Sequence, residues 1–267
     1  MIKSQATEKI NQKKHQVMRI QNVSLSFGGL KALIDVSLEI YQKEILAIIG
    51  PNGAGKSCML NIISGIYTPD GGAVIWKGKK REKIAPHNIA KMGIARTFQN
   101  IALFTGMTVL DNILTGRNLL MKRGLFYEAM FLGWARDQEI QHRKKVEEII
   151  DFLEIQAVRK VPVSRLPYGI QKRVELGRAL AAEPELLLLD EPMAGMNVEE
   201  KEDMCRFVLD VNEQFGTTII LIEHDMGVVM DISDRVAVLD YGRKIADGLP
   251  KDVRTDKKVI DAYLGVG

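Results

Sequence analysis

The chain has 267 residues, of which 46% are hydrophobic, and a formal net charge of +3. This length and apolar content suffice for a large domain with a core of its own. The small net charge gives no whole-chain electrostatic reason to bind nucleic acid, so we expect no nucleic-acid partner.

The N-terminal residues 1–16 are polar and have no periodicity, which predicts a disordered extension before a domain spanning residues 17–267. They lack the apolar core of a signal peptide, and no later run reaches the roughly 20 apolar residues that cross a bilayer. The two cysteines, Cys58 and Cys205, are far apart and have no metal-like spacing. We therefore expect reduced thiols and a cytoplasmic location.

A β-rich layer is predicted first. Residues 17–27 alternate loosely and end at a Gly-Gly turn, and residues 36–40 and 45–49 follow as two more strands. An aromatic at the end of the first strand, Phe27, either stacks on a nucleotide base or belongs to the core.

Residues 50–57 match the phosphate-binding pattern G-x-x-x-x-G-K-[ST] at every fixed position. The glycines let successive N–H groups point inward, and the following helix adds its positive N-terminal end, so a nucleoside triphosphate is the expected ligand. Lys56 would reach the β- and γ-phosphates, and the Ser57 hydroxyl would be a ligand for Mg²⁺. The predicted nucleotide-binding residues here are Gly50, Pro51, Asn52, Gly53, Ala54, Gly55, Lys56, Ser57 and Cys58.

Short strands are predicted at residues 73–76 and 93–98, the second ending at Gln99. Apolar residues then recur at helical spacing over residues 108–120 and 138–153, which predicts a helical subdomain over about residues 100–182. The segment between these helices is rich in aromatics, and they either pack internally or face a partner; they are Phe126, Tyr127, Phe131 and Trp134.

Two later strands, residues 186–192 and 217–222, end in polar side chains that should meet beside the phosphate loop, because ligands bind outside the carboxyl ends of parallel strands. Asp190 is placed to hold Mg²⁺, and Glu191 to polarise an attacking water. The alternative is that the two acidic residues merely open a loop. His224 would donate a hydrogen bond to the γ-phosphate, unless it is a structural histidine.

The helices predicted over residues 198–215 and 226–233, and a hairpin over residues 236–246, complete an α/β chain with a single phosphate loop.

The order and spacing of these motifs resemble an ABC transporter nucleotide-binding subunit over nearly everything after the N-terminal extension. The residues that carry the resemblance are the loop 50–57, Gln99, Leu166-Pro167-Tyr168-Gly169-Ile170-Gln171-Lys172-Arg173, the strand ending at Pro192, and His224. The resemblance implies a P-loop NTPase fold of the ABC type, with an N-terminal antiparallel β layer and a helical subdomain.

It also implies roles for individual residues. Phe27 becomes the aromatic that stacks on the base, and Glu191 the catalytic base. Gln99 links the nucleotide to the transport domain and joins the metal site with Ser57 and Asp190. His224 becomes the switch histidine.

Within the family the chain looks most like the ATPase subunits of branched-chain (hydrophobic) amino acid importers. The marks are Arg96-Thr97-Phe98-Gln99-Asn100, Leu-Pro-Tyr-Gly, Ala194-Gly195-Met196-Asn197, Ile222-Glu223-His224-Asp225-Met226 and Ile260-Asp261-Ala262-Tyr263-Leu264-Gly265. The resemblance implies ATP and Mg²⁺, and a homodimer or a heterodimer with a second ABC ATPase. It further implies two permease subunits, a solute-binding protein outside, and a peripheral position on the inner face of the membrane.

Three alternatives stay open from the sequence. The first is an ABC ATPase for another solute, of amide, urea or lipid type. A non-transport ABC ATPase is disfavoured because the chain has neither a long coiled coil nor a second cassette. A GTPase or nucleotide kinase would not need the signature segment, residues 166–173, or His224.

The signature segment departs from the family consensus Leu-Ser-Gly-Gly-Gln. Pro167 replaces the serine, Tyr168 the first glycine and Ile170 the glutamine, so a hydroxyl contact to the γ-phosphate is missing. Gly169 and the N-terminus of a helix predicted over residues 174–181 remain to hold that phosphate. Asn197 similarly replaces the usual aspartate, and we expect a weaker closed state rather than loss of hydrolysis.

Overall fold

The computed structural model describes residues 15–81, 86–118, 120 and 132–264, without the side chains of residues 86–87 and 132–137. The aromatic side chains of Phe126, Tyr127, Phe131 and Trp134, and the extension through residue 14, lie outside that description. Within the described ranges, every helix is too short or too polar to cross a membrane.

The N-terminal layer is a four-stranded antiparallel sheet with the strand order β2-β1-β4-β5. Its strands are β1 (Gln16–Phe27), β2 (Leu30–Tyr41), β4 (Gly71–Trp76) and β5 (Lys79–Lys80). The structure confirms the predicted antiparallel layer. The first strand begins one residue before the predicted start, since Gln16 pairs with Tyr41.

The second sheet has six strands in the order β10-β9-β3-β8-β7-β6, all parallel except β10. They are β3 (Ile45–Ile49), β6 (Ile94–Arg96), β7 (Leu186–Asp190), β8 (Thr218–Ile222), β9 (Arg235–Asp240) and β10 (Arg243–Gly248). Every residue of β3, β7 and β8 is buried, as expected for strands covered on both faces. Their carboxyl ends therefore reach one edge of the sheet together.

Nine helices cover this sheet in the described part of the chain. They are α1 (Lys56–Ile63), α2 (Pro86–Lys91), α3 (Val109–Thr115), α4 (Leu132–Phe152), α5 (Tyr168–Leu180), α6 (Val198–Phe215), α7 (Met226–Ile232), α8 (Pro250–Thr255) and α9 (Lys257–Leu264). The sequence patterns missed α2, α8 and α9.

Three predicted helix boundaries were wrong. Helix α4 begins at Leu132 rather than at residue 138. Helix α3 ends at Thr115 rather than at residue 120, and the next N–H groups, from Gly116 to Asn118, donate to carbonyls three residues back, as in a 3₁₀ turn. Helix α5 begins at Tyr168 rather than at residue 174, and Pro167 is its N-cap. Proline is tolerated at a helix start because the first N–H groups lack partners within the helix.

The alternation of side chains along the strands divides the apolar core between the two faces of the parallel sheet. On one face, Leu46 and Ile48 pack with α1 and the antiparallel layer. On the other, Leu187 and Leu189 pack with the helices α3, α4, α5 and α6. The predicted helical range of 100–182 thus shares one core with β7 and β8.

Candidate functional site

The loop that follows β3 is shaped by glycines in conformations that other residues rarely adopt. Gly50 has φ 147° and Gly55 has φ 101°. A side chain at Gly50 would collide with the carbonyl oxygen of Leu239, and one at Gly55 would lie 2.7 Å from the carbonyl oxygen of Ala32. The loop is therefore seated against β2 and β9, and glycine is required at both positions.

Lys56 begins α1, and its ammonium group folds back over the loop. Its Nζ donates to the carbonyl oxygens of Gly50 at 2.7 Å and Pro51 at 2.9 Å. Burial lowers the pKa of Lys56, and the carboxylates of Glu191 and Asp190 raise it. Glu191 and Asp190 must lie near Nζ for their charges to act on it. The structure therefore places the two predicted acidic residues beside the phosphate loop.

Asp190 ends β7 and is 6% exposed. Its Oδ2 lies 2.8 Å from the guanidinium of Arg96, which is also largely buried. Arg96 donates as well to Asn61 Oδ1 at 2.6 Å and to Ser64 Oγ at 3.0 Å, both near the end of α1. Arg96 thus ties Asp190 to the helix of the phosphate loop, a role that the sequence analysis did not assign to it.

Glu191 follows in a left-handed conformation with φ 49°, and its backbone N–H donates to the Ile222 carbonyl at 2.9 Å. That conformation turns the chain away from the strand direction. Gln99 Nε2 donates to Glu191 Oε2 at 3.0 Å, and His224 Nδ1 lies 3.9 Å from the same oxygen. The structure therefore brings together three predicted site residues from three different strand ends.

The remaining predicted residues surround this cluster at different depths. Ser57 is exposed beside Lys56, whereas Cys58 is half-buried against the core, and burial raises the pKa of its thiol. Phe27 is 46% exposed and packs edge-to-face on Tyr67 at a centroid distance of 5.3 Å. An exposed ring at this strand end has a face left for a base.

The signature segment lies on a different element. Gly169 is in the first turn of α5 and is buried, since a side chain there would collide with the Glu200 carboxylate. Glu200 belongs to a capping box at the start of α6, in which Asn197 Oδ1 accepts from the Glu200 N–H at 2.9 Å. Asn197 therefore acts as a helix cap, and it brings a carboxylate against Gly169.

Comparison with known proteins shows the family to which a chain with these site residues belongs. Residues 33–194 match the family model described as ABC transporter. The chain belongs to this family of ABC transporter ATP-binding proteins. As a member it is an ATPase whose hydrolysis of ATP is coupled to transport.

Relatives of this ABC protein include the "High-affinity branched-chain amino acid transport ATP-binding protein LivG" of Escherichia coli (strain K12). It is 37% identical over 93% of this chain and 98% of the relative. The protein of the same description called BraF, from Pseudomonas aeruginosa, is 35% identical over 93% of this chain and 98% of its own. Residues 243–267 match a second family model, described as branched-chain amino acid ATP-binding cassette transporter.

Solved structures of ABC cassettes have the same fold. An ATP-binding cassette of an ABC transporter in its ADP conformation has a TM-score of 0.81 and 32% identity, over 94% of this chain and 99% of that one. A bacterial ABC transporter cassette solved as a dimer has a TM-score of 0.74 and 26% identity, over 87% and 98%. The fold class predicted from the sequence is confirmed.

Two further residues of the ABC site escaped the sequence analysis. The carboxylate of Glu223, 1% exposed, accepts from the backbone N–H of Met193 at 2.9 Å and of His224 at 3.2 Å. Burial raises the pKa of Glu223, and those N–H groups oppose the rise. Glu223 thereby connects the loop after Glu191 with the backbone of His224.

Tyr263 reaches the site from α9, close to the end of the chain. Burial raises the pKa of Tyr263, and the nearby backbone N–H of Gly50 lowers it, which places the hydroxyl beside the first residue of the phosphate loop. Val259 of the same helix packs against Ala47 and Ile49 of β3. The Tyr-Leu-Gly ending was visible in the sequence as a subfamily mark, but its contact with the phosphate loop depends on the fold.

Proposed function

We propose that this ABC ATPase energises an importer of branched-chain or other hydrophobic amino acids. The match of residues 243–267 to the branched-chain cassette model supports this solute class, and the LivG and BraF relatives agree with it. Two permease subunits would form the membrane path, and a solute-binding protein would select the amino acid. This chain would then sit on the inner face of the membrane.

The observation that carries the proposed chemistry is the convergence of Lys56, Glu191 and Gln99 at one edge of the parallel sheet. Lys56 would bind the β- and γ-phosphates as a cation. Glu191 would accept a proton from the attacking water, and Gln99 orients its carboxylate by a hydrogen bond. Phe27 would stack on the adenine base, and His224 would donate to the γ-phosphate.

The donors at the site fit Mg²⁺. This ion prefers oxygen ligands and keeps several waters, so it is commonly held by one or two protein groups together with substrate phosphates. Among the described residues, no group of three or more His, Cys, Asp and Glu side chains forms a metal cage. The Ser57 hydroxyl, Asp190 and Gln99 would serve instead, Asp190 through the oxygen that Arg96 does not bind. When bound, the ion neutralises charge on the phosphates.

The working unit would be a head-to-tail dimer, of two copies or with a second ABC ATPase. Gly169 lies at the N-terminal end of α5, whereas Lys56 lies at the start of α1. In the proposed dimer, Gly169 and the N-terminal end of α5 would hold the γ-phosphate bound by the other copy. The dimeric cassette among the similar structures supports this arrangement. Pro167 supplies no hydroxyl, which would make the closed state weaker.

Glu191→Gln tests the dimer, because it keeps shape and hydrogen bonding but removes the base. We expect that variant to elute as a dimer in size-exclusion chromatography with ATP and as a monomer without it. Adding Lys56→Ala should abolish the shift. Low salt favours the charge-assisted contact. A Glu191→Gln protein that binds ATP and stays monomeric at low salt, even with its permeases, overturns the shared site.

The solute is tested separately. The complex copurified with its permeases and binding protein is reconstituted in vesicles, and ATP-driven uptake of radiolabelled leucine is compared with that of urea. Uptake of urea and not of leucine would reject the amino acid proposal and leave the ATPase mechanism intact.

A further inference from the structure

Charged side chains on one face of helix α5 bind the main chain of the segment that contains Gln99. Lys172 Nζ donates to the carbonyl oxygen of Gln99 at 2.9 Å and to that of Phe98 at 3.4 Å. The N–H of Phe98 donates to Glu175 Oε1 at 3.3 Å. Since Lys172 and Glu175 are three residues apart, they lie on the same side of the helix.

One turn further on, the same face makes a third attachment. The guanidinium of Arg178 donates to the Ala102 carbonyl, and the Ala102 N–H lies near enough to the Glu175 carboxylate to lower its pKa. The segment 98–102 is thus held at both ends by main-chain contacts, which do not depend on the side chains of that segment.

Lys172 and Glu175 are also a buried ion pair. Their side chains are each 2% exposed, and Lys172 Nζ lies 3.6 Å from Glu175 Oε2. Burial raises the pKa of Glu175, opposed by Lys172 and by the N–H groups of the segment. Buried charges are costly unless all their bonds are made. Moving segment 98–102 away from α5 would remove the main-chain partners of both buried ions. The segment and the helix are therefore expected to move together.

The two ends of this assembly reach different parts of the site. At one end, the Gln99 side chain contacts Glu191 Oε2 at 3.0 Å. At the other, α5 begins with Tyr168 and Gly169, and the Tyr168 ring lies 5.9 Å from Lys172 Nζ. Contacts therefore run without a break from Glu191 to the signature end of α5.

We propose that Lys172 and Glu175 are positioning residues that make the Gln99 segment and α5 move as one body. Nucleotide contact at Gln99 then sets the placement of Gly169, which in the dimer proposed above faces the other nucleotide. The inference rests on that dimer. Neither residue touches the reacting atoms.

The test starts from the Glu191→Gln protein and adds Lys172→Met with Glu175→Gln, so that no lone charge stays buried. We expect the ATP concentration for half-maximal dimer formation to rise about tenfold or more, the range of a lost charge-assisted contact. Affinity of the monomer for a fluorescent ATP analogue should stay within about twofold, since the phosphate loop is untouched. Lys145→Met with Glu148→Gln, an exposed pair with the same i,i+3 spacing, is the matched control.

A double-mutant cycle separates positioning from plain stability. If the pair acts through Gln99, substituting it in a Gln99→Ala background should not raise the ATP concentration for half-maximal dimer formation any further. A merely structural role would raise that concentration by the same factor in both backgrounds. Lys172→Arg keeps the charge and donors and should restore most of the dimer. If circular dichroism shows the Met variant unfolded, Lys172→Gln with Glu175→Gln replaces it.

Hydrogen exchange at protein concentrations too low for ATP to form the dimer tests the coupling in the monomer. In the parent, ATP should slow exchange at amides 98–102 and 169–171 together. The pair variant should keep the slowing at the phosphate loop and lose it at 169–171. The positioning role is overturned if ATP still slows exchange at 169–171 in the pair variant. It is also overturned if the pair changes the ATP concentration for dimer formation by equal factors in both backgrounds of the cycle. A parent that never dimerises but shows the coupled exchange overturns the shared site alone.

Discussion

Lys56 illustrates how the surroundings of a single side chain set its chemistry. Two carbonyl oxygens of its own loop bind the ammonium group, and the nearby carboxylates of Glu191 and Asp190 favour the charged form against the effect of burial on its pKa. A triphosphate would offer the same cation stronger acceptors, because charge-assisted bonds to phosphate exceed those to neutral carbonyls.

Lys56→Ala should therefore lower ATP hydrolysis by about 100-fold or more, the scale for loss of one electrostatic stabiliser in an active site. Phosphate release by the purified chain measures it, and Lys145→Ala on the exposed side of α4 is the control. A folded Lys56→Ala protein with the normal rate would refute the assignment of the phosphate loop.

Cys205 gives a pH-dependent prediction at the same scale. Burial, followed by the negative charges of Glu223, Asp225 and Asp231, raises the pKa of its thiol to about 11. The thiolate is the reactive form, so at pH 8 iodoacetamide should label Cys205 about 100-fold more slowly than an unfolded cysteine.

The rate should rise about tenfold per pH unit between pH 8 and pH 10, because deprotonation limits it. Peptide mass spectrometry after timed labelling measures the rate, with the urea-unfolded chain as reference. Slow labelling that does not vary with pH would mean that access, and not the pKa, protects the thiol.

At the scale of elements, α9 braces the phosphate loop from outside the sheet. It packs with β3 through Val259, and the Tyr263 hydroxyl lies near the Gly50 N–H, which lowers the pKa of Tyr263. A backbone N–H at the first residue of the loop needs a partner once it is buried, because an unpaired donor costs about 1–3 kcal/mol.

Tyr263→Phe removes that acceptor and should lower the free energy of unfolding by about 1–3 kcal/mol. Urea denaturation measures the loss. Tyr241→Phe is the matched control, since Tyr241 is 85% exposed at the tip of the β9–β10 hairpin. Equal stability of the two variants would show that the α9 contact does not hold the loop.

At the scale of the whole molecule, the stretch after β6 presents exposed apolar side chains beside the site. Phe98, Phe104 and Met107 are 40%, 53% and 41% exposed. The Phe104 N–H donates to Asn112 Oδ1 at 2.8 Å, and Asn112 is fully buried. Rigidly held apolar groups next to Gln99 are suited to contact a permease.

Phe104→Ser should abolish uptake by the reconstituted importer and leave the basal hydrolysis of the isolated subunit within about twofold, because exposed side chains add little to stability. Phe215→Ser is the control, since Phe215 is equally exposed but lies on α6 at the opposite edge of the sheet. Equal loss of uptake and basal hydrolysis in Phe104→Ser would favour a core role for this stretch.

Local patterns were enough to predict most of the fold. The buried strands before Gly50 and Asp190 and the long amphipathic helix α6 follow from periodicity within a few residues. The same patterns failed at helix boundaries, as at the end of α3, where the hydrogen bonds shift to carbonyls three residues back. They also missed α9, a short helix that joins one apolar cluster with β3, β9 and α8 through Val259.

The sequence by itself determined the phosphate loop, the acidic strand end and the order of the motifs. Each motif is a short run of neighbouring residues whose types its chemistry requires, so it can be recognised without the fold. Only the tertiary structure decided which charges meet. Arg96 binds Asp190, Lys172 and Glu175 hold the Gln99 backbone, and Tyr263 reaches Gly50 across more than 200 residues of chain. Those pairs form because the parallel sheet brings distant strand ends to one edge, where burial makes unpaired polar groups costly.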